Sequence, residues 1–155
     1  MVQECKQRGL EAHVVDLCVL PWTPLHASMA TGFQAAYAMN SLLHIPKGAM
    51  FAAVLAEAAR LVVPGGLFYL GVYGGESFEG KWEEDPSGEA RFFAYYTDAE
   101  LREAIHVAGG WEIELFRKVD TAIRYPTTPT VPKPSERAKR MQLHFQSVVL
   151  RRQPA

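Results

Sequence analysis

Between Gly32 and Val72 the chain sets down two apolar runs of strand length with a helical repeat between them. Gly32 to Met39 is apolar almost throughout, which suits a strand covered on both faces, as in a parallel sheet. Pro46 suits a helix start, where its missing N–H costs nothing. From there Met50, Phe51, Val54, Leu55, Ala58, Leu61 and Val62 recur at helical spacing. Pro64-Gly65-Gly66 is read as the helix stop, and Leu67 to Val72 as a buried strand. Strand, helix and strand in this order predict a right-handed βαβ unit.

The flanks extend the same pattern. Val2 to Arg8 reads as the end of a helix, stopped at Gly9. Ala12 to Leu17 reads as a strand with β-branched residues at its centre. Leu20-Pro-Trp-Thr-Pro24 breaks regular structure. Thr97-Asp-Ala-Glu100 is a capping box that opens a helix through Ala108, closed by Gly109-Gly110. Trp111 to Val119 and Met141 to Leu150 are a final strand pair. The connection between them carries Pro126, Pro129, Pro132 and Pro134. That spacing reads as a stiff extended loop or as a polyproline ligand for a partner's aromatic groove, and the loop is favoured. With 155 residues and no internal repeat, one α/β domain is expected over residues 1–155.

Composition narrows function mainly by exclusion. A chain 48% hydrophobic and 21% charged folds. A net charge of −1 gives no footprint for nucleic acid, and Arg137, Lys139 and Arg140 read as a solvated patch. The apolar runs are strand-sized, so no membrane span or signal peptide is expected. Cys5 and Cys18 read as reduced thiols of a cytoplasmic protein. The histidines His13, His26, His44, His106 and His144 lack metal-ligand spacing, so no metal is expected.

Parallel strands bind ligands at their carboxyl ends, and three such ends are visible. Asp16-Leu17 offers a carboxylate that serves a ligand or its own turn. Asn40-Ser41 offers small polar side chains, with His44 following; His44 reads as a pocket residue or as one that satisfies a helix start. Gly71-Val-Tyr-Gly-Gly75 is followed by no helical pattern, so it reads as a hinge into a loop rather than a phosphate cradle. That loop, 76–91, holds Trp82, Glu83, Glu84 and Asp85 and leads to Phe92-Phe-Ala-Tyr-Tyr96. Aromatics beside acids suit a cationic substrate, but a solvated acidic loop beside core aromatics is the favoured reading.

The segments Phe33 to Lys47 and Val54 to Leu70 resemble the second half of class I S-adenosylmethionine-dependent methyltransferases. The likeness runs from Leu10 to about Arg151. It implies an incomplete Rossmann-like fold, a mostly parallel sheet with an antiparallel final strand pair. It implies S-adenosylmethionine as cofactor, with Asp16 accepting from the adenine amino group. Leu17, Asn40, Ser41 and His44 then complete the cofactor edge, and a small molecule is the methyl acceptor. Catalytic residues stay unassigned.

Departures limit that implication. Gln34 and Ala36 replace the family's usual Asp and Val, and Val63 replaces a frequent Lys. The family's Gly-rich cofactor loop and its ribose-binding acid have no counterpart here. A truncated domain with weak or absent cofactor binding of its own is therefore expected. A non-catalytic remnant or interaction subunit is the alternative. In the family, two strands separate the counterparts of Ala12–Leu17 and Gly32–Met39. Their absence implies that the first of these pairs elsewhere, and that the chain self-associates or takes strands from another chain.

Overall fold

A computed structural model describes residues 2–23, 25, 32–82, 90–120 and 143–154. Helix α1 (Val2–Gln7) ends as expected before Gly9, whose φ is 74°. It buries none of its residues, in keeping with so short a helix.

The expected strand at Ala12–Leu17 is not formed. Residues 11–16 have no regular structure, Leu17 enters a turn, and Val14 is 84% exposed. β-Branched residues favour a strand only where a neighbour supplies the ladder. No described strand pairs with this segment, so the expected pairing is not met among the described residues.

Strand β1 (Phe33–Met39) runs parallel to β2 (Val62–Gly74), with Tyr37 opposite Tyr69 and Met39 opposite Gly71. Between them lie a 3-10 turn, Leu42–His44, and helix α2 (Ala49–Leu61). Pro64-Gly65-Gly66 does not stop the helix. Leu61 ends it and β2 begins at Val62, so the three residues form an irregularity inside the strand. Phe33 pairs with Val62, but Ala35 pairs with Leu67. Gly66 suits this bulge because a Cβ there would lie 2.8 Å from the Gln34 carbonyl oxygen.

The 76–91 stretch read as a loop contains strand β3 (Phe78–Trp82), which pairs antiparallel with β4 (Arg91–Tyr95) in the aromatic run that follows. Its cause is period-two alternation: Phe78 faces Tyr95 and Gly80 faces Phe93 in register. Helix α3 (Asp98–Ala108) opens with the full capping box and closes at Gly109. Strand β5 (Trp111–Val119) has the expected bounds, and β6 runs His144–Arg152. Strand order is β1-β2-β6-β5. The incomplete Rossmann-like α/β class holds, but the described sheet is mixed, with one parallel and two antiparallel pairings. The proline-rich segment and the basic patch lie outside the described residues.

One face of this sheet meets the helices. Phe68 pairs with Leu150, Leu70 with Val148 and Val72 with Gln146. All six are at most 4% exposed, and the five apolar ones pack with Phe51, Val54 and Leu55 of α2 and Leu101 and Ile105 of α3. The opposite face is open at β1, where Phe33 is 43% and Tyr37 67% exposed. Among the described residues the apolar run of β1 is therefore not covered on both faces, because the described helices cover one side only and β1 is the last strand of the described sheet.

Candidate functional site

The turn after β1 sits at the carboxyl end of the parallel pair, and its apolar residues hold it there. Leu42, Leu43 and Ile45 are buried in the core. That leaves Asn40 exposed and Ser41 and His44 half-buried on the same turn. Asn40 has a φ of 53°, a left-handed conformation that Asn tolerates better than most residues. Its N–H donates to the Gly71 carbonyl at 2.8 Å, which ties the turn to β2. Ser41 stands at the N-cap of the 3-10 turn without a side-chain cap bond.

His44 is fixed from the hairpin side. Its Nδ1 lies 2.7 Å from the Phe92 carbonyl oxygen, and its ring lies 4.8 Å from that of Phe93. A carbonyl only accepts, so Nδ1 carries the hydrogen in this bond. Behind His44 the rings of Phe78, Trp82, Phe93 and Tyr95 close on one another. Their centroids are 5.6–6.1 Å apart, and the cross-corner pair Trp82–Tyr95 is at 5.9 Å. A cation flanked by two rings needs each centroid within ~6 Å on opposite sides, hence a far wider opening. The cluster is a packed satellite core.

Asp16 and Leu17 sit on a different turn. The Asp16 Oδ1 accepts from the Cys18 N–H at 2.9 Å, and its carbonyl accepts from the Val19 N–H at 3.1 Å. That is an Asx turn, the second of the two roles open to it from sequence. The Leu17 carbonyl accepts from the Trp22 indole at 3.3 Å. The Trp22 N–H in turn donates to the buried Glu57 carboxylate of α2 at 2.8 Å. The structure thus gathers Asn40, Ser41 and His44 on one turn and anchors the Asp16-Leu17 turn to α2.

Two polar clusters were not read from sequence. Asp98 Oδ1 accepts from His144 Nε2 at 2.7 Å and from Gln146 Nε2 at 2.8 Å, and Lys118 pairs with Oδ2. Burial pushes this carboxyl up, but the bonds from Lys118, Gln146 and His144 outweigh it and hold it at about 2. The second cluster joins Lys47, Ser77 and Glu100: the Lys47 ammonium lies 2.8 Å from Ser77 Oγ and 3.4 Å from Glu100 Oε2. It also lies 4.7 Å from the centre of the Tyr96 ring. Burial, reinforced by Glu79 and Glu100, raises the Tyr96 hydroxyl well above its ordinary value, so Tyr96 is neutral. The only sequence signal for the first cluster was that Asp98 lies inside the capping box.

Gly71 to Gly74 belong to β2, and the Gly75 N–H donates to the Tyr96 carbonyl at 2.8 Å. The turn read as a hinge is therefore a pinned strand end. A shallow groove lined by Pro64, Gly65, Glu112, Arg151 and Arg152 lies at the other, amino end of β2. Among the described residues, no cluster of three or more His, Cys, Asp or Glu is arranged to hold a metal. No described helix is long and apolar enough to cross a membrane.

The chain matches no family model and no curated protein in sequence. In structure it is similar to the [4+2]-cyclase SpnF, at 20% identity and a TM-score of 0.63, covering 99% of this chain and 61% of the cyclase. It is similar to an S-adenosylmethionine-dependent methyltransferase from Mesorhizobium loti, at 17% identity and a TM-score of 0.63, covering 98% of this chain and 76% of that one. A third likeness is to a chain in the complex of the Haloferax volcanii Trm112 methyltransferase activator with a methyltransferase: 20% identity, TM-score 0.60, 100% of this chain and 68% of that one. The chain therefore has a class I S-adenosylmethionine-dependent methyltransferase-like fold, and it spans less than two-thirds of the cyclase.

Proposed function

We propose that residues 1–155 belong to a methyltransferase-type domain, contribute one wall of an S-adenosylmethionine site and bind that cofactor weakly by themselves. The observation behind this reading is the Asn40–His44 turn, anchored at the carboxyl end of β1 in a chain whose backbone follows methyltransferases over nearly its whole length. The fit to the cofactor is partial. The turn offers an amide, a hydroxyl and an imidazole nitrogen along one wall, while Asp16 spends Oδ1 on its own turn. When bound, S-adenosylmethionine would supply an activated methyl group. Asn40, Ser41 and His44 would orient it, with Asp16 and Leu17 at the adenine end. The acceptor is a small molecule, the compartment is the cytoplasm, and the chain self-associates.

The test is amide-resolved NMR during titration with S-adenosylmethionine, paired with calorimetry. Weak shifts confined to Asp16, Leu17, Asn40, Ser41 and His44, with no measurable heat, are expected. A low-micromolar dissociation constant for this chain alone would overturn the weak-binding half of the reading. No shift at any of these amides would favour the second reading, a non-catalytic interaction subunit. That reading draws on the exposed apolar edge of β1 and on the cyclase, since a fold does not fix its chemistry.

A further inference from the structure

Lys47 stands between the Asn40–His44 turn and α2. Its side chain is only 18% exposed, and its ammonium meets three groups. It donates to Ser77 Oγ at 2.8 Å, lies 3.4 Å from Glu100 Oε2 and sits 4.7 Å from the centre of the Tyr96 ring. The Ser77 hydroxyl donates to Glu100 Oε1 at 2.7 Å, which closes a triangle. Glu100 is also the capping-box residue of α3, where its Oε2 accepts from the Thr97 N–H. Burial pushes the Glu100 carboxyl up, but the bonds from Thr97, Ser77 and Lys47 outweigh it and hold it low, so the triangle keeps its charge. The Lys47 N–H donates to Glu79 Oε1 of β3 at 3.1 Å. One residue thus joins the turn, the loop after β2, strand β3 and the start of α3.

We infer that Lys47 is a positioning residue that fixes the Asn40–His44 turn and, through it, the place of the His44 ring. The inference rests on the reading of that turn as a wall of the cofactor site. Only Ile45 and Pro46 separate His44 from Lys47, and neither has much freedom. Ile45 is buried, with φ −94° and ψ 133°, the extended backbone that a following proline favours. Pro46 restricts its own φ. A displacement of Lys47 is therefore passed on to His44. Leu42, Leu43 and Ile45 hold the depth of the turn, but burial of apolar surface is non-directional. Direction comes from the polar bonds, and those of an ammonium are stronger than neutral ones. His44 grips β4 through the Phe92 carbonyl and the Phe93 ring, while Lys47 grips β3 through Glu79. The turn is thus held by both strands of the pair and by the cap of α3.

Lys47→Met keeps the aliphatic stem and removes the ammonium, and Lys47→Arg restores a cation. Circular dichroism is the control for folding. Amide exchange is read at His44 and Ile45, whose N–H groups close the turn on the Ser41 and Leu42 carbonyls. In Lys47→Met both should exchange at least about tenfold faster, the effect of ~1.4 kcal/mol. The His44 ring protons should lose most of the shift that the Phe93 ring gives them, while the Leu70 and Ile105 amides keep their rates. Lys47→Arg should return both signals toward those of the unsubstituted chain. In an S-adenosylmethionine titration, Lys47→Met should lose the amide shifts at Asn40, Ser41 and His44 and keep those at Asp16 and Leu17. Exchange and ring signals indifferent to Lys47→Met would overturn the inference. So would a loss spread equally to Leu70 and Ile105, turn shifts retained in Lys47→Met, or Lys47→Arg behaving like Lys47→Met. An unsubstituted chain without any cofactor shift would sink the cofactor reading alone, because exchange and ring signals decide the role of Lys47 without ligand.

Discussion

The two faces of the four-stranded sheet are built from the same strands and end in opposite states. On the helix side, Leu70, Val148 and Leu150 have no exposed surface, and Phe68 and Val72 have almost none. On the other side, Tyr37 is 67%, Leu115 50% and Met39 49% exposed. Because side chains alternate along a strand, both faces come from one stretch of sequence. The difference teaches that α2 and α3 stabilise this fold from one side, while the described residues leave the other side uncovered at β1.

The largest expected effect lies on the sealed face. Leu70→Ala should cost about 2–5 kcal/mol of unfolding free energy, because it leaves a cavity under α2. Urea unfolding followed by circular dichroism measures it. A loss below ~1 kcal/mol would mean that this face collapses around the gap and that the contrast between the faces is shallower than the exposures suggest.

The next effect tests how α3 is fastened to the sheet. Asp98 is lowered from 3.8 to about 2 in the folded chain, so the folded state binds its proton less readily than the unfolded state. Its contribution is present above about pH 4 and is lost as pH falls toward 2. A shift of this size corresponds to at most about 2 kcal/mol, and solvent screening around the exposed Lys118 partner lowers it. Asp98→Asn should flatten the acid limb of a stability-against-pH curve while leaving α3 helical. An unchanged acid limb would show that His144, Gln146 and Lys118 do not stabilise the carboxylate.

A smaller loss is expected at the cap. Thr97 accepts from the Glu100 N–H, and the Glu100 carboxylate accepts from the Thr97 N–H at 2.8 Å. Thr97→Ala should destabilise by about 0.5–2 kcal/mol, measured by thermal unfolding. No change would mean that packing of Leu101 and Ile105 sets the start of α3 without the cap.

These elements differ in how far sequence alone reveals them. The capping box, the bounds of β5 and the apolar stripe of α2 are local: each depends on residues within a few positions, and the structure keeps them. The strand reading of Ala12–Leu17 failed because a ladder is a non-local requirement. The hairpin was missed because a 76–91 stretch rich in acids and glycine masks the alternation of Phe78, Gly80 and Trp82. Pro64-Gly65-Gly66 was misplaced because a bulge depends on the neighbouring strand's Gln34 carbonyl. At the site, Asn40, Ser41 and His44 were legible as one turn after an apolar strand. The carbonyl that orients His44 comes from Phe92, 48 residues away, and no local pattern announces it.

The smallest effect on folding is expected on the open face, and it separates the two faces most directly. Tyr37 is 67% exposed, and its recorded partners, the Tyr69 ring and Met39 Sδ, lie on the same surface. Replacing it removes one stacked pair and little buried area, so Tyr37→Ser should change the unfolding free energy of the dilute chain by no more than about 0.5 kcal/mol. If β1 pairs with a second copy, the same substitution should reduce the dependence of the melting temperature on protein concentration, because only association makes stability depend on concentration. Thermal melts of both chains at low and high concentration read the two effects together. A large loss in the dilute chain would mean that the Tyr37–Tyr69 stack belongs to the folding core and that the open face is not open. A concentration-independent melt in the unsubstituted chain would leave the face open but unoccupied by its own kind.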